Sequence, residues 1–190
     1  HVRSRRQRQM CIRDSCYSEQ IQNFPEKFKD KIVMIDPLVK EEIYEASLLT
    51  KVGDKFNLLV VGGSQGANIF DHNLKKIIVS IPKKIPIKII QQTNEKNISY
   101  LKDFYLKNNI ENMIFSFDKN FVQIIQKADL CITRAGASTL AELSVLNVPF
   151  VAVPLPTSKD NHQYENANLY KNNDCCCLLY TSDAADDSLR

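Results

Sequence analysis

The chain has 190 residues, 44% of them hydrophobic and 25% charged, which is enough for one globular domain with a sizeable core. Its 25 basic and 22 acidic residues leave a net charge of only +3, so neither a nucleic-acid footprint nor a polybasic membrane anchor follows from the total. The longest apolar runs, such as Leu58 to Val61 and Phe150 to Val153, fall far short of the roughly 20 residues a membrane-spanning helix needs.

The two ends differ in composition from the middle. Five of the seven arginines (Arg3, Arg5, Arg6, Arg8, Arg13) lie in the first thirteen residues and Arg190 closes the chain, whereas all 18 lysines lie between Lys27 and Lys171. Met10 to Tyr17 lacks the apolar core of seven or more residues that a signal peptide needs. The strings MCIRDS (Met10 to Ser15) and LLYTSDAADDSLR (Leu178 to Arg190) resemble translated adapter read-through. Residues 1–16 and 178–190 are therefore expected to be foreign, and the domain is placed at residues 31–174 and expected to be incomplete. Five of the six cysteines (Cys11, Cys16, Cys175, Cys176, Cys177) sit in or beside the ends, and the run Cys175 to Cys177 is expected to be sequence noise. Cys131 alone falls inside a predicted strand, as a small buried hydrophobe. This pattern gives no disulfide framework and points to a reducing compartment.

From Lys31 to Asp174, short β-rich apolar runs alternate with longer helical stretches, which predicts an α/β fold with a parallel sheet. Predicted strands are Leu58 to Val61, Pro86 to Gln91, Met113 to Phe117, Leu130 to Thr133 and Pro149 to Val153. Ile69, Phe70, Leu74, Ile77, Ile78 and Ile81 recur at helical spacing after the first strand and predict an apolar face against the sheet. Tyr100, Leu101, Phe104 and Tyr105 mark a second helix, Phe121 to Gln126 a third, and Leu140, Leu143 and Leu146 a fourth. There is no internal repeat and no low-complexity linker.

Four of the five glycines (Gly62, Gly63, Gly66, Gly136) sit in two strings that each follow a strand and open a helix. Glycine there admits positive φ and close approach of a ligand to backbone N–H groups, and a helix N-terminus adds orphan donors and partial positive charge that suit phosphate. The first string, Gly62-Gly-Ser-Gln-Gly-Ala67, is neither GxGxxG nor a Walker A loop, and no acidic residue follows at Ile90 to Gln92, so a nicotinamide cofactor is not expected. The second, Thr133-Arg-Ala-Gly-Ala-Ser-Thr-Leu-Ala-Glu142, carries at Thr139 and Glu142 the S/T-x-x-E spacing of a capping box, which leaves two roles open for Glu142. A third string, Pro154-Leu-Pro-Thr-Ser-Lys-Asp-Asn-His-Gln163, is a proline-stiffened loop running into a helix. No Asp, Glu or His cluster has metal-ligand spacing, and no metal is expected.

Together, GGSQGA at Gly62 to Ala67, TRAGASTLAEL at Thr133 to Leu143 and VPLPTSKDNHQYENA at Val153 to Ala167 resemble the carboxyl-terminal domain of the MurG family, N-acetylglucosamine transferases that convert lipid I to lipid II in bacterial peptidoglycan synthesis. The resemblance covers about Lys31 to Asp174. It implies the Rossmann-like half of a GT-B glycosyltransferase, a parallel sheet with helices on both faces that holds UDP-N-acetylglucosamine as donor substrate with no bound cofactor.

By the same resemblance Ser64, with Gln65 and Gly66, faces the donor diphosphate, and Gly136 with Ala137, Ser138, Thr139, Leu140 and Ala141 lies against the nucleotide. Glu142 bonds the ribose hydroxyls, His162 and Gln163 meet the sugar hydroxyls, and the backbone at Phe117 reads the uracil edge. The family's Gly-Asn-Pro-Val-Arg appears here as Ile35-Asp-Pro-Leu-Val-Lys40, which makes Lys40 the weakest match, as a donor-phosphate contact. The resemblance further implies that the general base, the lipid-linked acceptor site and the contact with the cytoplasmic face of the inner membrane belong to an amino-terminal half not in this chain. Such a fragment is expected to be inactive alone. Two other readings stay open on the residues: another GT-B enzyme, such as a lipid galactosyltransferase, or a non-catalytic nucleotide-binding module.

Overall fold

Strands β1 (Phe56–Val61), β2 (Ile87–Gln92), β3 (Glu111–Phe115), β4 (Leu130–Thr133), β5 (Phe150–Ala152) and β6 (Cys176–Leu178) build one parallel sheet in the order β3-β2-β1-β4-β5-β6. The structure is a computed structural model, and it describes Glu26 and residues 38–47, 55–81, 86–156, 158, 161–172 and 175–179. Helices α1 (Glu41–Ser47), α2 (Gly63–Ser80), α3 (Ile98–Lys107), α4 (Phe121–Lys127), α5 (Ala137–Val145) and α6 (His162–Asn172) connect or flank the strands.

Two apolar clusters sandwich the sheet because alternate strand residues point to opposite faces. Leu58, Val60 and Ile89 meet Phe70 and Ile78 of α2 and Leu101 and Tyr105 of α3 on one side. Leu59, Val61, Ile90, Cys131 and Phe150 meet Ile43 of α1, Ile125 of α4, Leu140 and Leu143 of α5 and Tyr170 of α6 on the other. Helices on both faces bury Leu58 to Val61 of β1 and Cys131 and Thr133 of β4, with Leu130 and Ile132 partly covered, which is why these segments read as continuous apolar runs. The fold is therefore α/β with a parallel sheet, and Cys131 is fully buried, its thiol pushed well up by burial.

Several boundaries differ from the sequence expectations. Strand β3 lies at Glu111–Phe115 rather than Met113 to Phe117, because it pairs with β2 from Lys88↔Glu111 to Gln92↔Phe115. Ile77, expected on the sheet-facing stripe of α2, is 57% exposed, since the neighbouring Ile78 already occupies the core side. The sheet runs past Asp174: β6 pairs with β5 from Phe150↔Cys176 to Ala152↔Leu178, and Leu179 N–H donates to Ala152 O at 2.9 Å. Cys176 and Cys177 are strand residues, and Leu178, counted with the foreign end, is in register with the sheet. The expectations for residues 1–16 and 180–190 lie outside the described residues.

A buried polar network seats α2 on the sheet. Asp71 accepts at Oδ1 from Gln91 Nε2 (2.8 Å) and at Oδ2 from Thr93 Oγ1 and from Asn97 Nδ2 (2.8 Å), while Tyr105 Oη donates to Gln91 Oε1 (2.8 Å). Burial, reinforced by the Asp71 charge, pushes the Tyr105 phenol far up, so it stays protonated and can donate to Gln91. Asp71 thereby joins α2 to the carboxyl end of β2 and the start of α3, fixing the helix whose first turn carries the first glycine string.

Candidate functional site

The strand order places a topological switch point between β1 and β4, from which the chain proceeds outward in opposite directions. In such sheets ligands bind outside the carboxyl ends of the strands at that point. Both glycine strings are there. Gly62 alone separates β1 from α2, and Gly63 takes φ +65°, a left-handed turn that a side chain would strain. Arg134, Ala135 and Gly136 separate β4 from α5, and the backbone is tied to β1 by Arg134 N–H to Val61 O at 3.2 Å.

Neither helix has a side-chain cap. Gly62 and Gly136 are the N-cap residues, neither supplies a capping hydrogen bond, and no acidic residue occupies either first turn. The first-turn N–H groups of both helices therefore lack intrahelical acceptors at the carboxyl edge of two neighbouring strands, with the positive ends of two helix dipoles behind them. Gly136 is extended (φ −73°, ψ 131°) and a Cβ there would meet nothing within 4 Å, so positive φ is required at Gly63 and not at Gly136. Ser64, Gln65 and Gly66 lie in the first turn of α2. Ala137, Ser138, Thr139, Leu140 and Ala141 form the first turn and a half of α5, with Leu140 and Ala141 buried beneath it.

The helix boundary excludes the capping box. Thr139 is the third residue of α5 and Glu142 the sixth, whereas a capping box needs the first of the pair at the N-cap, here Gly136. Glu142 is half-buried, and burial raises its carboxyl above the usual carboxylate range. Lys40 pulls it partly back down. That cation is near because Lys40 immediately precedes α1, its carbonyl accepting from Ile43 N–H at 3.0 Å, and α1 packs on α4 and α5 with Ile43 buried among Leu140 and Leu143. The structure thus brings Lys40 to Glu142.

The third string returns to the same edge. Asn161, at φ 55°, leads into α6, which begins with His162 and Gln163, both partly exposed. Gln163 Oε1 accepts from Leu155 N–H at 2.9 Å, leaving its amide N–H₂ as the outward donor. Phe117 stands two residues beyond β3 and is 76% exposed, at the same carboxyl edge but two strands from β1. Sequence reasoning missed Arg134 and Asn166. The buried Asn166 donates to Ala135 O at 3.1 Å, and Arg134, also buried, spans to the β5 exit. The one available signal was that Arg134 is the only arginine between Arg13 and Arg190. No group of three or more His, Cys, Asp or Glu among the described residues is arranged to hold a metal ion.

Paired uncapped helix N-termini at the switch point of a sheet ordered 3-2-1-4-5-6 define the class: a Rossmann-like α/β domain. Residues 57–190 match the glycosyltransferase family 28 C-terminal domain, and the chain belongs to that family. It is 49% identical over 160 residues, 84% of this chain, to the UDP-N-acetylglucosamine--N-acetylmuramyl-(pentapeptide) pyrophosphoryl-undecaprenol N-acetylglucosamine transferase of Pelagibacter ubique. It is 35% identical over 181 residues, 89% of this chain, to the protein of the same description from Rickettsia felis. The chain spans about half the length of these relatives, 45% and 50% respectively. The crystal structure of Acinetobacter baumannii MurG superposes with a TM-score of 0.62 at 26% identity, over 77% of this chain and 42% of that one. The architecture is accordingly that of the Rossmann-like carboxyl-terminal half of a GT-B glycosyltransferase.

Proposed function

We propose that this domain binds UDP-N-acetylglucosamine as the donor half of an inverting transferase that adds N-acetylglucosamine to lipid I, giving lipid II for peptidoglycan synthesis. The observation that carries the reading is the pair of uncapped helix N-termini that follow the carboxyl ends of the neighbouring strands β1 and β4. The activity for which the relatives are named supports the choice of nucleotide and sugar. In this reading the first turns of α2 and α5 hold the diphosphate, Glu142 accepts from the ribose hydroxyls, the segment at Phe117 meets the uracil, and His162 and Gln163 meet the sugar. In the reaction an acceptor hydroxyl attacks the anomeric carbon as the bond to the UDP oxygen breaks. Negative charge then grows on the leaving diphosphate, where preorganised N–H donors stabilise it without a metal. The acceptor's proton goes to a base outside this chain, and the intact enzyme works at the cytoplasmic face of the bacterial inner membrane on a lipid-linked acceptor. No helix among the described residues is long and apolar enough to cross a membrane.

Calorimetric titration of the chain with UDP, UDP-N-acetylglucosamine, UDP-galactose and flavin mononucleotide tests this reading. One site that prefers UDP-N-acetylglucosamine to UDP-galactose and ignores the flavin is the expected result. Equal affinity for both UDP-sugars assigns the chain to another glycosyltransferase, and flavin binding without UDP binding overturns the reading. His162→Ala should weaken UDP-N-acetylglucosamine more than UDP, whereas Gln163→Ala also frees Leu155 N–H and should loosen the loop at Pro154.

A further inference from the structure

The buried guanidinium of Arg134 joins three elements of the site. It leaves the backbone between β4 and α5, and its Nη1 donates to Val153 O at 3.2 Å and to Pro154 O at 3.0 Å, both at the exit of β5. Its Cζ lies 5.5 Å from the ring centroid of Phe70 on α2, within cation–π range. Arg134 is 7% exposed, so these contacts are made in a low-dielectric setting where geometry is strongly enforced. Thr133 Oγ1 donates to Arg134 O at 2.9 Å and Asn166 Nδ2 donates to Ala135 O, so the backbone that carries the guanidinium is itself pinned on both sides.

We propose that Arg134 is a positioning residue that couples the nucleotide end of the crevice to its sugar end. The β4–α5 loop leads to Glu142, and the β5–α6 loop leads to His162 and Gln163. Arg134 sets the spacing between the two loops. This inference rests on the reading of the crevice as a UDP-sugar site. A lysine keeps the charge, but its shorter side chain ends before the position of the Nη1 that donates to both carbonyls, and it lacks the planar guanidinium that lies by the Phe70 ring.

Arg134→Lys should therefore lower the affinity for UDP-N-acetylglucosamine relative to UDP by about tenfold, the loss expected for one hydrogen bond from a charged donor. A merely structural arginine shifts the melting temperature and leaves that ratio unchanged, and an unchanged ratio in a folded Arg134→Lys overturns the proposal. Hydrogen exchange of the wild-type chain gives a second reading that needs no variant. Saturating UDP, which has no sugar, should slow exchange in residues 153–163 as well as 134–142. Protection confined to 134–142 overturns the coupling. If wild type binds no UDP at all, the reading of the crevice fails and this inference fails with it.

Discussion

Asp71→Ala should cost about 3 to 5 kcal/mol of folding free energy, because it strips several buried neutral donors of the acceptor they share. Three side-chain donors, from Gln91, Thr93 and Asn97, converge on the two carboxylate oxygens, and alanine leaves all three without their acceptor. Each buried donor left unpaired costs about 1 to 3 kcal/mol, so partial hydration of the Asn97 end keeps the total within that range. For a chain of this size about 2 to 4 °C of melting temperature accompanies each kcal/mol, giving a fall of roughly 6 to 20 °C. Asp71→Asn should fall between the two, because one acceptor oxygen survives and an N–H₂ now faces a donor. Thermal denaturation followed by circular dichroism measures this, and a shift of a degree or two for Asp71→Ala would show that the network contributes little.

Glu142→Gln should separate stability from binding. Burial raises the carboxyl of Glu142 above its unfolded value, so its favourable contribution is complete at pH below the unfolded value and is lost as pH rises through the raised one. At neutral pH the buried carboxylate is a cost to the fold, and the amide removes it. The variant should melt at or above the wild-type temperature. Its UDP affinity should nevertheless drop roughly 10- to 150-fold, because a hydrogen bond to a charged acceptor contributes about 1.5 to 3 kcal/mol. For wild type, UDP affinity should start to fall at a higher pH than for an ordinary glutamate as the solution is acidified. Lys40→Met should move that fall higher still, since Lys40 holds the carboxyl down. A lower melting temperature with unchanged affinity would return Glu142 to a structural role.

How legible these features were depended on how local their causes are. Leu130–Thr133 is a central strand with both faces covered, and its continuous apolar run marked both ends correctly. Strand β3 is an edge strand paired only with β2, so it begins at Glu111 and Asn112, whose polar side chains carry no burial signal, and apolar Phe117 drew the predicted boundary two residues late. Among its described side chains helix α1 has a single fully buried residue, Ile43, too little periodicity to announce a helix. The three cysteines hid β6 because its strand character comes from pairing with Phe150 to Ala152 rather than from composition. In the site, glycine placement pointed to the two helix N-termini. The ambiguity at Glu142 arose because any helix presents residues three apart on one face, and only the observed start of α5 decides which residue caps it. Arg134 was illegible in role because its carbonyl partners lie 19 and 20 residues away along the chain.

We propose that the carboxylate of Glu142 faces a ribose bound beside the two uncapped helix N-termini. Titrating UDP and 2′,3′-dideoxy-UDP into wild type and Glu142→Gln tests it most directly, because the analogue keeps the uracil and the diphosphate and lacks only the hydroxyls. Wild type should prefer UDP to the analogue by roughly 10-fold or more, and Glu142→Gln should erase most of this preference while binding the analogue nearly as wild type does. Equal affinity of wild type for the two ligands, or a preference that survives in Glu142→Gln, would contradict it.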